Sequence, residues 1–191
     1  MMNEMFKVEE ECEILLFLTL PPEAESIIKD QKKEFRDLLG NEEFSHSKPH
    51  ITLLTWKVTT DRLVSCSKKL STTLACCQPF SITISGVDAF VSKKSKTMYS
   101  IIKNPEQLDN VYKQLSSLKQ QPGSGSYFKI YGTPHITIGQ SKIENKGFDT
   151  LLTIFQKDPI SFDCLISEYS VRINYFKRGK WSTFYEGKLG V

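Results

Sequence analysis

No apolar run in this 191-residue chain approaches the roughly 20 residues that a membrane-crossing helix needs, so no helical span is expected. The N-terminus carries Glu4 and Glu9 to Glu11 ahead of a short apolar stretch, not the basic start of a signal peptide, and a cytoplasmic protein with no membrane partner is the expectation. Cysteine is present without a framework: Cys12, Cys66, Cys76, Cys77 and Cys164 make an odd count with no C-x-x-C pair, which favours reduced packing thiols over disulfides. A large charge excess is also missing. The formal charge of +3 helps attract an anion but is too small for a duplex-DNA binder. A phosphate-cradling nucleotide loop is lacking too, because Gly123-Ser124-Gly125-Ser126 has neither the flanking strand nor the Lys that such a loop requires. Low-complexity sequence is absent as well. What remains, 39% hydrophobic and 25% charged, is the composition of a globular protein of one domain or of two small lobes sharing a core.

The apolar pattern repeats. Glu13 to Leu20 reads as a buried strand stopped by Pro21-Pro22, and a helix follows with Pro22 in its first turn, Glu23 and Glu25 near its N-terminus, Ile28, Phe35, Leu38 and Leu39 on one face, and Gly40 at its end. Pro49 to Thr55 reads as a strand, Thr59 or Thr60 as the cap of a second helix with Leu63, Leu70, Leu74 and Cys77 inward, and Phe80 to Val87 as an alternating strand. The second half runs in the same order. Thr97 to Lys103 is a strand; Asn104-Pro105 starts a helix with Leu108, Val111, Tyr112, Leu115 and Leu118 in its stripe; Pro122-Gly123 ends it. Pro134 to Ile138 is a strand, Phe148, Leu151, Leu152 and Phe155 mark a helix, and strand material resumes at Ile160. Lys93 to Lys96 form a polar turn between the halves. Ser170 to Tyr175 and Trp181 to Tyr185 resemble a terminal hairpin. The expectation is one bilobal domain over 1–191, with halves of roughly 13–90 and 97–174 and a hairpin at 170–189.

Of only three histidines, two stand in identical tetrapeptides, Pro49-His50-Ile51-Thr52 and Pro134-His135-Ile136-Thr137, at matching points of the two halves. On a strand, His50 and Thr52 share a face, as do His135 and Thr137, so two such strands across a pseudo-twofold present two imidazoles and two hydroxyls to one cleft. That set suits phosphodiester cleavage. One neutral imidazole takes a proton from the attacking oxygen while the other, protonated, supplies the leaving oxygen, and the threonine hydroxyls donate hydrogen bonds to non-bridging phosphate oxygens. No metal or other cofactor is needed for such chemistry.

The paired H-x-T motifs, each preceded by proline, resemble the signature of the 2H phosphoesterase superfamily, which includes LigT-like 2',5' RNA ligases, cyclic phosphodiesterases and viral 2',5'-phosphodiesterases. The strand at Ile14, the repeated order and the Trp-containing hairpin extend the resemblance over nearly the whole chain. It implies an α+β, bilobal fold, two pseudo-symmetric lobes whose antiparallel sheets line a central groove with helices outside. It implies catalytic His50 and His135 with phosphate-binding Thr52 and Thr137, without settling which histidine is acid and which is base. The activity it implies is metal-independent cleavage of phosphodiesters at a ribose 2' position. A compact monomer without an RNA-binding appendage points to a small nucleotide or oligonucleotide as partner, such as 2',5'-oligoadenylate or 2',3'-cGAMP, with RNA bearing 2',3'-cyclic phosphates or 2',5' junctions as the alternative.

Other side chains carry two readings. Tyr131, Tyr175, Phe176 and Trp181 are candidates for stacking on a base, worth about 1–3 kcal/mol each, against ordinary core packing. Lys129 and Arg178 are candidate phosphate contacts, against plain solvated charges. His46 and His50 have the spacing of a helical zinc pair, but Pro49 disfavours a helix there, so no metal site is expected. From a different functional class, a nucleotide-binding module that keeps the cleft without turnover is the competing hypothesis; both motifs being intact argues against it.

Overall fold

The computed structural model describes residues 10–40, 43–119, 127–175 and 179–191. Strand β1 (Glu11–Thr19) is followed by helix α1 (Pro22–Leu39), strand β2 (His50–Thr59), helix α2 (Leu63–Ala75), and strands β3 (Phe80–Val91) and β4 (Ser95–Ile102). Helix α3 (Asp109–Lys119), strands β5 (Tyr127–Ile130) and β6 (His135–Lys142), helix α4 (Lys146–Lys157), and strands β7 (Ser161–Ile166), β8 (Glu168–Tyr175) and β9 (Trp181–Lys188) complete the chain. All neighbouring strands pair antiparallel, in a five-stranded sheet of order β5-β2-β1-β8-β9 and a four-stranded sheet of order β6-β4-β3-β7. The α+β, two-lobed architecture read from the sequence is the one observed.

The sheets mirror each other. Each motif strand pairs with a central strand, β2 with β1 and β6 with β4, and each central strand then pairs with one more, β8 or β3. Beyond β2 lies β5; beyond β6 the chain adds a single bridge, Glu43 to Gln140. The third strand of the first half, β3, has left its own half for the sheet of the second, whereas β8 closes the sheet of the first. The cause is local: Ser92 Oγ accepts from the backbone N–H groups of Lys94 (3.2 Å) and Ser95 (3.0 Å), folding a tight turn that pairs β3 with β4. Ser95 and Lys96, expected in a linker, therefore belong to β4.

Helices cross over as well. Helix α1 follows β1 but packs on β6 beside α4, and α3 follows β4 but packs beside α2 and β5. One apolar cluster joins Ile14, Leu16, Trp56, Leu70 and Leu115 to Ile82, Ile136 and Ile166 of the other sheet, and a second gathers Phe35, Met98, Ile138, Phe148 and Leu151. Helix α1 ends at Gly40 (φ +86), a left-handed position, whose N–H donates to Arg36 O at 2.8 Å. Its inner face departs from expectation: Leu38 is 58% exposed, while Lys32 is buried beside Ile28 and Phe35. Two expected caps are also absent. Thr59 makes no side-chain cap, a 3₁₀ turn over Thr60–Arg62 leading into α2 instead, and Asn104 turns its amide to β3, accepting from Thr83 N–H at 2.7 Å and donating to Ser81 O at 3.3 Å. No described helix is long and apolar enough to cross a membrane.

Candidate active site

His50 opens β2 and His135 opens β6, and these two strands lie against one another where the sheets meet. Both rings are held the same way. His50 Nδ1 lies 2.7 Å from Lys48 O and His135 Nδ1 lies 2.8 Å from Thr133 O, in each case the carbonyl two residues earlier. A carbonyl only accepts, so each Nδ1 carries the proton and each Nε2 is the atom left to meet a substrate. The segment bearing Lys48 is itself pinned, because Glu25 of α1 pairs with Lys48 at 3.3 Å and with Lys29 at 2.7 Å.

Each motif is followed by the same irregularity. Leu16 pairs with Leu54 but Phe17 with Thr52, so Leu53 is an extra residue in β2; Met98 pairs with Gly139 but Tyr99 with Thr137, so Ile138 is an extra residue in β6. The bulge lets the motif aim His and Thr into the groove while Leu54 and Gly139 onward resume contact with the core. Lys32 secures the second bulge: its Nζ donates to Ile138 O (3.2 Å), Phe44 O (2.8 Å) and Ser47 Oγ (3.2 Å). Burial, with the nearby Arg36 charge, brings that ammonium down to about 8.

Surroundings differ between the histidines. His50 packs on Phe17, ring centroids 4.6 Å apart, and the Arg172 guanidinium lies over the same Phe17 ring at 5.4 Å. Burial lowers His50 to about 4; the Lys48 carbonyl pulls it back up, and the charges of Lys32, Arg172 and His135 push it down further. That His135 contributes places the two imidazoles within electrostatic reach of each other. Burial also lowers His135, opposed by the Thr133 carbonyl. Its ring meets Phe90 (4.9 Å) and Tyr99 (5.4 Å) edge-on, and those two stack on each other at 4.2 Å with planes 20° apart. Phe90 is 39% exposed, so this pair forms an aromatic ledge beside His135.

The two motif strands lie side by side with His50 and His135 at their first positions, while the aromatic candidates are spread over several places. Tyr131, whose N–H donates to Leu53 O at 2.9 Å, sits next to the first motif strand with Lys129 Nζ 4.3 Å above its ring. Tyr175 pairs with buried Cys12 and packs on the core, the ordinary packing role that stood beside base stacking in the sequence reading. Trp181, opposite Asn174 on the other face, lies at the far end of the groove from His50. Phe176 and Arg178 lie outside the described residues. Phe17, Phe90, Tyr99, Lys32 and Arg172 escaped the sequence reading; the period-two alternation around Phe17 and Tyr99 was the one available signal, since it put each on the face of the motif strand it would pair with. His46 is exposed on the segment before β2. Among the described residues no three His, Cys, Asp or Glu side chains gather as a metal site.

The family model of the 2'-5' RNA ligase superfamily matches residues 21–173, a span containing both motifs and the strands and helices that carry them. The chain belongs to the 2'-5' RNA ligase superfamily. Solved structures agree with that placement in the superfamily's 2H fold. LigT of E. coli, complexed with 3'-AMP, shares 16% identity over 95% of this chain and 100% of its own, with a TM-score of 0.64. TT0787 of Thermus thermophilus shares 14% over 93% and 98%, TM-score 0.62, and Usb1 of Kluyveromyces marxianus 12% over 96% and 99%, TM-score 0.52. No curated protein matches in sequence. Superfamily membership makes this chain one of a group of phosphoesterases and RNA ligases.

Proposed function

We propose that this superfamily member is a metal-independent phosphodiesterase that hydrolyses a bond at a ribose 2' oxygen in a small nucleotide messenger of the 2',5'-oligoadenylate or 2',3'-cGAMP kind, using His50 and His135 as its acid–base pair. The observation that carries the proposal is the matched pair of Nδ1–carbonyl latches, which leave the Nε2 of each histidine for a substrate. His50, kept neutral by burial and by the Lys32 and Arg172 charges, is the base: its Nε2 takes the proton of the attacking water as that oxygen bonds to phosphorus. His135, free of those two charges, is the acid and gives its Nε2 proton to the 2' oxygen as the P–O bond breaks. Thr52 and Thr137 hold the non-bridging oxygens, and the Phe90–Tyr99 ledge receives a base. Crystals of LigT with 3'-AMP, ATP and NADP+ support a groove of nucleotide size. The superfamily's name favours a second substrate class, RNA with 2',5' junctions.

Incubation with 2',5'-oligoadenylate, cGAMP isomers, cyclic mononucleotides and RNA ending in a cyclic phosphate, read by chromatography, tests both. Cleavage of a 2' linkage that survives EDTA is expected. A substrate returned intact after long incubation would instead make the protein a binding module.

A further inference from the structure

We propose that Arg172 and Asn174 of β8 form a second-phosphate subsite on the floor of the groove, so that the preferred substrate carries a phosphate beyond the scissile one. The proposal rests on the phosphodiesterase reading above and narrows its substrate class.

Register puts both side chains on the groove face. Arg172 pairs with Leu15 and Asn174 with Glu13, the β1 positions that alternate with the buried core residues Ile14 and Leu16 and continue the row of Phe17, which itself pairs with Thr52. Each ends in an unmet polar atom: Arg172 Nε and Asn174 Oδ1 are buried and have no hydrogen-bond partner. Buried donors and acceptors are ordinarily paired, and an unpaired guanidinium N–H is costly to keep unless something arrives to use it. Arg172 is also held in place, its guanidinium lying 5.4 Å from the centroid of the Phe17 ring that supports His50, so the groove order is imidazole, aromatic ring, guanidinium.

The ligand follows from this chemistry. An arginine that stands over a ring with its Nε–H unpaired suits a phosphate oxygen, and an amide oxygen two residues along suits a ribose hydroxyl or a base N–H. Successive groove-facing residues on a strand stand about 7 Å apart, comparable to the step between neighbouring phosphates of an extended nucleotide. Glu13, facing the same groove beside Asn174, repels an anion placed further along, which ends the subsite at one phosphate. A nucleotide with a single phosphate would fill the histidine–threonine site and leave Arg172 unused.

Calorimetric titration with adenosine 2',5'-bisphosphate and adenosine 2'-monophosphate tests the idea without turnover. The intact protein is expected to bind the bisphosphate at least tenfold more tightly, Arg172→Gln to bring the ratio close to one, and His135→Ala to keep it. Equal affinities in the intact protein, or an undiminished ratio in Arg172→Gln, would overturn the subsite. Should Arg172→Gln fail to fold by circular dichroism, Arg172→Lys and Asn174→Ala replace it, each expected to shrink the ratio at least threefold; an unchanged ratio in both counts against the proposal. A bisphosphate preference without cleavage of any 2'-linked substrate leaves the subsite standing and removes the phosphodiesterase reading, and cleavage without the preference does the reverse.

Discussion

A histidine becomes an acid or a base through what touches its two nitrogens. With both Nδ1 protons spoken for by Lys48 O and Thr133 O, the proposed chemistry falls on two Nε2 atoms, and His50→Ala or His135→Ala is expected to cut kcat by about 10²–10⁴-fold with the circular dichroism spectrum preserved. Thr52→Ala or Thr137→Ala, removing one hydrogen bond to charged oxygen, should cost about 10–100-fold. Both imidazoles titrate below the usual histidine value, so the kcat/KM profile of the free enzyme should be displaced to the acid side, with its alkaline limb below about 6.5. An alkaline limb above pH 7 would exclude His135 as the acid. The same depression bears on stability. Folded His50 binds its proton near pH 4 and unfolded His50 near 6.5, so between those values the unfolded chain holds more protons. Stability is therefore full above about 6.5 and falls as pH drops toward 4, by up to roughly 3 kcal/mol from this residue. Urea titrations of the protein and of His50→Gln at pH 7 and pH 4.5 should show a smaller loss in the variant.

At the scale of the element, α1 joins the two motif strands. Glu25 pairs with Lys48 ahead of β2, and Lys32 donates to the Ile138 carbonyl on β6. Lys32→Ala would remove three hydrogen bonds, including the one to Ile138 O, and is expected to destabilise the fold by about 1–3 kcal/mol, measured by urea unfolding, and to lower activity as well because the β6 bulge loses its tether. Gly139 admits α1: a methyl group there would overlap the Phe35 ring, so Gly139→Ala should destabilise by about 1–3 kcal/mol. These elements also show what a sequence exposes. Period-two and period-3.6 patterns revealed the strands and helices, and the repeated tetrapeptide pointed to the candidate site, because both are local. The lysine on α1 was legible only as a break in an apolar face, since its acceptors come from Phe44, Ser47 and Ile138, distant in the chain. The two readings of Tyr175 could not be separated for a related reason: the choice between groove and core face depends on pairing with Cys12, which adjacency to the hairpin turn does not reveal.

Across the whole molecule, each half of the repeat lends a strand or helix to the other's lobe, and one apolar cluster draws on both sheets. Trp56 and Trp181 both belong to the five-stranded sheet, so tryptophan fluorescence reports that sheet while far-ultraviolet circular dichroism reports both. The two urea curves are expected to coincide at one midpoint; separate midpoints would mean lobes that unfold independently. Among the described residues, the exchange of β3 and α1 ties the halves together through more than one element, which opposes a clamshell swing. For the proposed hydrolysis, product escape should then proceed at a rate indifferent to solvent viscosity beyond simple diffusion.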